Sequence, residues 1–297
     1  MADDTITPQL DDFVVGTGLG DQILLDEGND TVFGAGGFDR IEGGPGDDFL
    51  VGGSEVDGYA SSLSDYSDWI RGGDGNDTIA GGNYSPNVDG GQGQGAPWEA
   101  VFDLKSGHAY SESGESLWGQ SGDDHIRGGN GNDTLGGGPG NDNIKAFSGN
   151  DTVFGGAGND VITSYLGDDK LFGGAGNDLI IGGYGADILW GGAGDDTLNA
   201  EISGSGTWTD DDVDIFRFAS GHGNDLIRGF DVDLDILDLS HLTNRFANGA
   251  AVANATQVVD PVDGAYGYAL LIQTSDTDSI LIQFADPVSI SALNILI

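Results

Sequence analysis

The chain contains no cysteine, which excludes disulfides and thiolate metal sites. That absence is compatible with an exported bacterial protein. Basic residues are scarce: nine Lys and Arg stand against 50 Asp and Glu, for a formal net charge of −41. Nucleic acids and anionic membranes both need a positive surface, so neither is expected as a direct partner. Long apolar runs are missing, and no stretch approaches the ~20 apolar residues of a membrane span. Met1 to Leu10 carries no basic region followed by an apolar core, so no cleaved secretory leader is expected. Catalytic signatures are missing too. Neither an HExxH zinc motif nor a GxSxG nucleophile elbow occurs, and the histidines (His108, His125, His222, His241) are scattered.

What the chain has in excess is glycine, 55 of 297 residues, and the glycines are periodic. Asp21, Asp30, Asp39 and Asp48 are spaced by nine, Asp68 and Asp77 repeat the step, and Asp124, Asp133, Asp142, Asp151, Asp160, Asp169, Asp178, Asp187 and Asp196 run without a slip. Two residues after each of these 15 aspartates lies Ile, Leu or Val, and two residues before, glycine occupies all but Leu19 and Tyr66. The best copies read GGAGNDVIT and GGAGDDTLN. A solvated linker has no reason to hold an aliphatic at every such position.

Nine residues accommodate a short x-U-x strand (U is Ile, Leu or Val) and a six-residue turn. Two units make a coil of 18 with a strand on each side, U pointing inward and its neighbours outward. Such an interior is thin. One aliphatic per nine residues contributes about 1.5–3 kcal/mol, against roughly 1–2 kcal/mol for ordering each backbone. The turn suggests what makes up the difference. Its glycines let carbonyls crowd inward, and the residue before the repeated Asp is Asn or Asp in 11 of 15 copies, which predicts left-handed backbone there. Carbonyls plus a carboxylate make an all-oxygen site that suits Ca²⁺ better than Mg²⁺. The candidate ligands are Asp30, Asp39, Asp48, Asp68, Asp77, Asp124, Asp133, Asp142, Asp151, Asp160, Asp169, Asp178, Asp187 and Asp196, with ions between turns 18 apart, such as Asp142 with Asp160 and Asp160 with Asp178.

These nonapeptides resemble the RTX (repeat-in-toxin) family, whose consensus GGxGxDxUx they match through most of residues 16–201. The resemblance implies an all-β, right-handed parallel β-roll, several Ca²⁺ ions, and export by type I secretion machinery to an extracellular location. It also implies that the repeats stay unfolded in the low-calcium cytosol. Asp214-Ile215-Phe216-Arg217-Phe218, Asn224 to Phe230, and Asp235 to Ser240 look like the segment that closes the roll in serralysin-type members. The last ~60 residues would then hold an uncleaved secretion signal. The chain divides into a first block (1–82), an insertion with a decayed repeat (83–121), a second block (122–202) and a β-strand cap (203–297). Repeats start near residue 16, which leaves no room before them for the catalytic domain that many members carry.

Several departures carry expectations. Turns ending at Asp142, Asp160, Asp178 and Asp196 keep Gly-Gly, whereas Ala146-Phe147 precedes Asp151 and Ser164-Tyr165 precedes Asp169. Bulky residues should resist the glycine conformation, so calcium should bind strongly along the first edge and weakly or not at all along the second. Phe154, Phe172 and Trp190, 18 apart, should stack on one outer face, covered by the insertion around Trp98 and Trp118 or by the cap, or free to grip a polysaccharide. His125 should be a surface residue. Asp260-Pro261 and Asp286-Pro287 are read as ordinary turns rather than self-cleavage sites. The expected function is a non-enzymatic, secreted calcium-binding protein of the cell surface or matrix. The alternatives are a calcium-dependent carbohydrate-binding module similar to those attached to alginate epimerases, and an enzyme with its site between residues 83 and 121.

Overall fold

The computed structural model describes residues 11–17, 19–34, 37–53, 68–82, 114–200, 212–242, 256–259, 268–284 and 293–297. Its strands begin with β1 (Phe13–Val15), β2 (Gln22–Leu24), β3 (Thr31–Phe33), β4 (Arg40–Pro45), β5 (Phe49–Gly53), β6 (Trp69–Asp74) and β7 (Thr78–Gly82). Then come β8 (Ser116–Ser121), β9 (His125–Asn130), β10 (Thr134–Pro139), β11 (Asn143–Ser148), β12 (Thr152–Ala157), β13 (Val161–Leu166), β14 (Lys170–Ala175), β15 (Leu179–Tyr184), β16 (Ile188–Ala193) and β17 (Thr197–Asn199). The last seven are β18 (Ile215–Ala219), β19 (Asn224–Arg228), β20 (Ile236–His241), β21 (Thr256–Val259), β22 (Tyr268–Gln273), β23 (Ser279–Phe284) and β24 (Asn294–Leu296).

Odd-numbered strands from β1 to β19 lie side by side in one sheet, and even-numbered strands from β2 to β20 in the other. Neighbours within both runs are parallel. The chain therefore winds as a parallel β-roll with two strands per coil. Residues 18 apart stand in register, as in Leu135↔Val153, Val153↔Leu171 and Leu171↔Leu189. Strand alternation sends each U residue inward. From Val32 to Leu198 these aliphatics are fully buried, and they form one continuous ladder. Among the described residues, no helix is long and apolar enough to cross a membrane.

The roll runs on across the breaks in the repeat. Strands β5 and β7, β6 and β8, and β7 and β9 pair directly. Ser116–Ser121, inside the stretch read as insertion, forms β8, and Leu117 is a buried core residue. The period was hidden because Glu115 stands where the repeat has Asp. Beyond residue 212, β18, β19 and β20 continue the coils with Phe216, Ile227 and Leu237 inside. Strands β21, β22 and β23 then close one sheet as antiparallel neighbours, and β24 adds to β20 in the other. The core thickens here into aromatic packing. Phe230 lies 5.5 Å from Phe216 and 6.3 Å from Phe284, centroid to centroid. The Asp260-Pro261 and Asp286-Pro287 turns, Trp98 and the segment around His108 lie outside the described residues.

Candidate metal centres along the two edges

Each turn joins the sheets along one of two edges. Along the first stand Asp12, Asp30, Asp48, Asp77, Asp124, Asp142, Asp160, Asp178, Asp196 and Asp225. In every consecutive pair the backbone N–H of the earlier residue donates to Oδ1 of the later, at 2.7–2.9 Å. Along the second edge stand Asp21, Asp39, Asp68, Glu115, Asp133, Asp151, Asp169, Asp187, Asp214 and Asp235. The same bond recurs there from Asp21 to Asp68 and from Glu115 to Asp235, at 2.6–3.0 Å. Asp214, Asp225, Asp235 and Glu115 were not among the expected ligands. The three aspartates do keep the D-x-U signature, in Asp214-Ile215-Phe216, Asp225-Leu226-Ile227 and Asp235-Ile236-Leu237.

The second oxygen of these carboxylates has a different fate. Oδ2 of Asp30, Asp39, Asp48, Asp77, Asp124, Asp133, Asp142, Asp151, Asp160, Asp178, Asp187 and Asp196, and Oε2 of Glu115, are buried without any hydrogen-bond donor. Of the expected ligands only Asp68 and Asp169 fall outside this set. Burying a carboxylate oxygen without a partner costs several kcal/mol or about that order, so a row of them calls for cations. The space is right as well. A methyl group built on Gly137, Gly155 or Gly173 would collide with Oδ2 of Asp142, Asp160 or Asp178 and with the carbonyl oxygen of Gly155, Gly173 or Gly191, one coil on. Carboxylate and carbonyl oxygens thus converge beside these glycines, a donor set that fits a hard divalent cation such as calcium. Among the described residues no three acidic or histidine side chains cluster together, so a bound ion draws on backbone carbonyls.

Electrostatics agree with the geometry. Burial pushes Asp142 and Asp178 up to about 6, Asp39 and Asp48 to about 7, and Asp124, Asp151 and Asp196 to about 8. Glu115 is pushed furthest, to about 10, by burial and by the Asp133 carboxyl that it faces. Two opposed buried carboxyls need a shared proton or a cation between them.

The Asn or Asp before each of the repeat aspartates does not take the expected left-handed backbone, and only Asp11, before Asp12, does. Among the described residues positive φ occurs outside glycine only at Asp11, Gln120, Phe147 and Tyr165. What Asn and Asp provide instead is a second, outer ladder. Along the first edge the N–H of Asn29, Asp47, Asn76, Asp123, Asn141, Asn159, Asn177, Asp195 and Asn224 donates to the side-chain Oδ1 one coil back. These bonds run opposite to the inner ladder, so adjacent coils are laced both ways. Along the second edge the outer ladder is described only from Asn132 to the N–H of Ala186.

Phe147 and Tyr165 correct a second expectation. Rather than resisting the glycine conformation they adopt it, with φ of 81° and 92°, in register with Gly129 and Gly183. Their rings stack 5.3 Å apart and 5° from parallel, which offsets backbone strain of about 1–3 kcal/mol per residue. The outer aromatic row is present: Phe154 and Phe172 stack at 5.1 Å, and Trp190 lies 6.0 Å further along. Trp118 belongs to the row instead of covering it, reaching across Gly136 to stack on Phe154 at 6.4 Å. His241 meets the other end at 5.8 Å from Trp190. His125 is exposed, as expected of a surface residue.

The model of the RTX calcium-binding nonapeptide repeat matches residues 25–58, 64–83, 111–144, 145–180 and 172–201. No curated protein matches the chain. Among solved structures, the extracellular lipase LipA from Serratia marcescens is similar over 82% of this chain and 42% of its own, at 18% identity and a TM-score of 0.34. The chain therefore spans less than half of that lipase.

Proposed function

Because this chain is built of RTX calcium-binding nonapeptide repeats, we propose that it is a non-enzymatic protein that folds on meeting calcium outside the cell and serves there in a surface, matrix or partner-binding role. One observation carries the reading: twelve aspartate Oδ2 atoms and Glu115 Oε2 are buried with no donor. Several calcium ions, when bound, supply the positive charge these oxygens lack. The residues themselves hold Oδ1 in the inter-coil ladder and turn Oδ2 toward the glycine-lined turn. Without cations the thin aliphatic ladder faces unpaired buried charge at nearly every rung, which favours the unfolded chain. A chain kept unfolded inside the cell suits passage through type I secretion machinery, the proposed export partner.

The carbohydrate-binding alternative gains no support from the aromatic row. Phe154 and Phe172 lie 10° from parallel and Trp118 and Phe154 14°, so these rings spend their faces on one another. A sugar platform needs faces turned to solvent.

Circular dichroism during a calcium titration tests the proposal. Cooperative gain of β-structure, reversed by chelator, is expected, since binding free energy here is folding free energy. A far-UV spectrum unchanged by chelator would remove the reading.

A further inference from the structure

At twelve aspartate rungs and at Glu115 the second carboxylate oxygen is buried without a donor, but at four other rungs the protein supplies one. Asp21 Oδ2 accepts from the Thr17 N–H at 2.5 Å and its hydroxyl at 2.9 Å. Asp235 Oδ2 accepts from the Asp231 N–H at 2.7 Å. Asp225 Oδ2 lies 2.5 Å from His222 Nδ1, and the other ring nitrogen lies 2.6 Å from Thr274 Oγ1. These three rungs are the first and last of the second edge and the last of the first. The fourth, Asp169, lies mid-row, where the buried Ser164 hydroxyl donates to Oδ2.

Ser164 holds the place taken by Gly128 beside Asp133 and by Gly182 beside Asp187 on the same edge. Ala146 holds it beside Asp151, whose Oδ2 still lacks a donor. A Cβ there is therefore tolerated with the oxygen left open, and it is the hydroxyl that closes it. We infer that Ser164 and His222 are resident substitutes for calcium. The hydroxyl leaves the Asp169 rung without an ion and interrupts the second edge between Asp151 and Asp187, while the imidazole ends the first edge's run at Asp196. The inference rests on the calcium reading above and adds where the ions stop.

The test is an anomalous difference map of the full chain crystallised with calcium, with calcium stoichiometry measured by equilibrium dialysis. Peaks beside Asp151 and Asp187 Oδ2 with none beside Asp169 or Asp225 are expected. Ser164→Gly, which restores the residue usual at this place, should bind one more ion per chain. His222→Gly should do the same, and His222→Gln, which keeps a donor, should not. A wild-type peak beside Asp169 Oδ2 as strong as its neighbours would overturn the inference and leave the calcium reading intact. The map on unaltered protein keeps the test open if a variant fails to fold. A wild-type chain that binds no calcium would instead sink the proposed function itself.

Discussion

The two edges of the roll are built from the same nine-residue unit, yet they have diverged. Along the first, the outer Asn/Asp ladder is continuous from Asp11 to Asn224, and the inner carboxylates run open from Asp30 to Asp196. The second edge takes the long irregularities that fall between β5 and β18. The sequence intervals between β5 and β6, between β7 and β8 and between β17 and β18 are longer than the repeat's turn, and the turns that enter β6, β8 and β18 carry Asp68, Glu115 and Asp214 of this edge. It also carries Glu115, Phe147, Tyr165 and Ser164. The difference teaches that register needs only one intact edge. With the first edge lacing adjacent coils in both directions, a turn on the other can be lengthened or refitted without shifting a strand.

Acid should abolish the contrast, and its effect should be the largest. Carboxylates on both edges are raised by burial, among them Asp48 and Asp124 on the first and Asp39 and Asp151 on the second. A raised folded value means that protons stabilise the ion-free roll. That contribution is complete below the unfolded value near 3.8 and is lost as pH rises through about 6 to 8. In chelator, circular dichroism should therefore show more β-structure at pH 4 than at pH 8. With calcium present, protons compete for the same oxygens, so the titration midpoint should move to higher calcium on acidification. Equal β-content in chelator at both pH values would contradict the burial of these groups.

Single substitutions should bring the contrast back. Asp160→Asn keeps an acceptor for the Asp142 N–H but removes ligand charge from an open rung. It should raise the calcium midpoint about tenfold or more, equivalent to ~1.4 kcal/mol. Asp169→Asn, on a rung already closed by Ser164, should shift the midpoint by less than about threefold. Similar shifts for both variants in one titration series would erase the distinction between the open rungs and the one that Ser164 closes on the second edge. The smallest effect belongs to the outer ladder. Asn159→Ala removes a link of the continuous row and should cost about 0.5–1.5 kcal/mol in urea unfolding of the calcium-loaded chain. Asn150→Ala, in the row that already stops at Ala186, should cost no more than that.

Much of this was legible in the sequence because a period is a statement about space. The nine-residue step placed the aliphatic ladder, the inner aspartates and the Phe154–Phe172–Trp190 row. What escaped was whatever changed residue type or turn length. Glu115 hid a coil by replacing Asp after a long break. Asp214, Asp225 and Asp235 kept their strands but sit 27, 29 and 21 residues from their ladder partners. The Asn before each aspartate was ambiguous, since the residue that tolerates left-handed backbone is also one that bonds a neighbouring amide. Trp118 was obscured by Gly136, over which its ring lies. The closure of Asp169 by Ser164 and of Asp225 by His222 depends on which oxygen a side chain reaches, and no spacing encodes that.

The change in the core toward the C-terminus has a thermodynamic consequence. Through the repeats each coil rests on its two neighbours and on one aliphatic per strand, so the roll behaves as a linear array whose first coil is the hardest to form. At Phe216, Phe218, Phe230 and Phe284 the interior is instead a packed aromatic cluster, and the last carboxylates of both rows are tied by the protein's own donors. That end can order without waiting for ions. Once formed, it presents a ready template against which the coil carrying Asp187 and Asp196 can settle, and the array can then close like a zip from the C-terminal end toward residue 11.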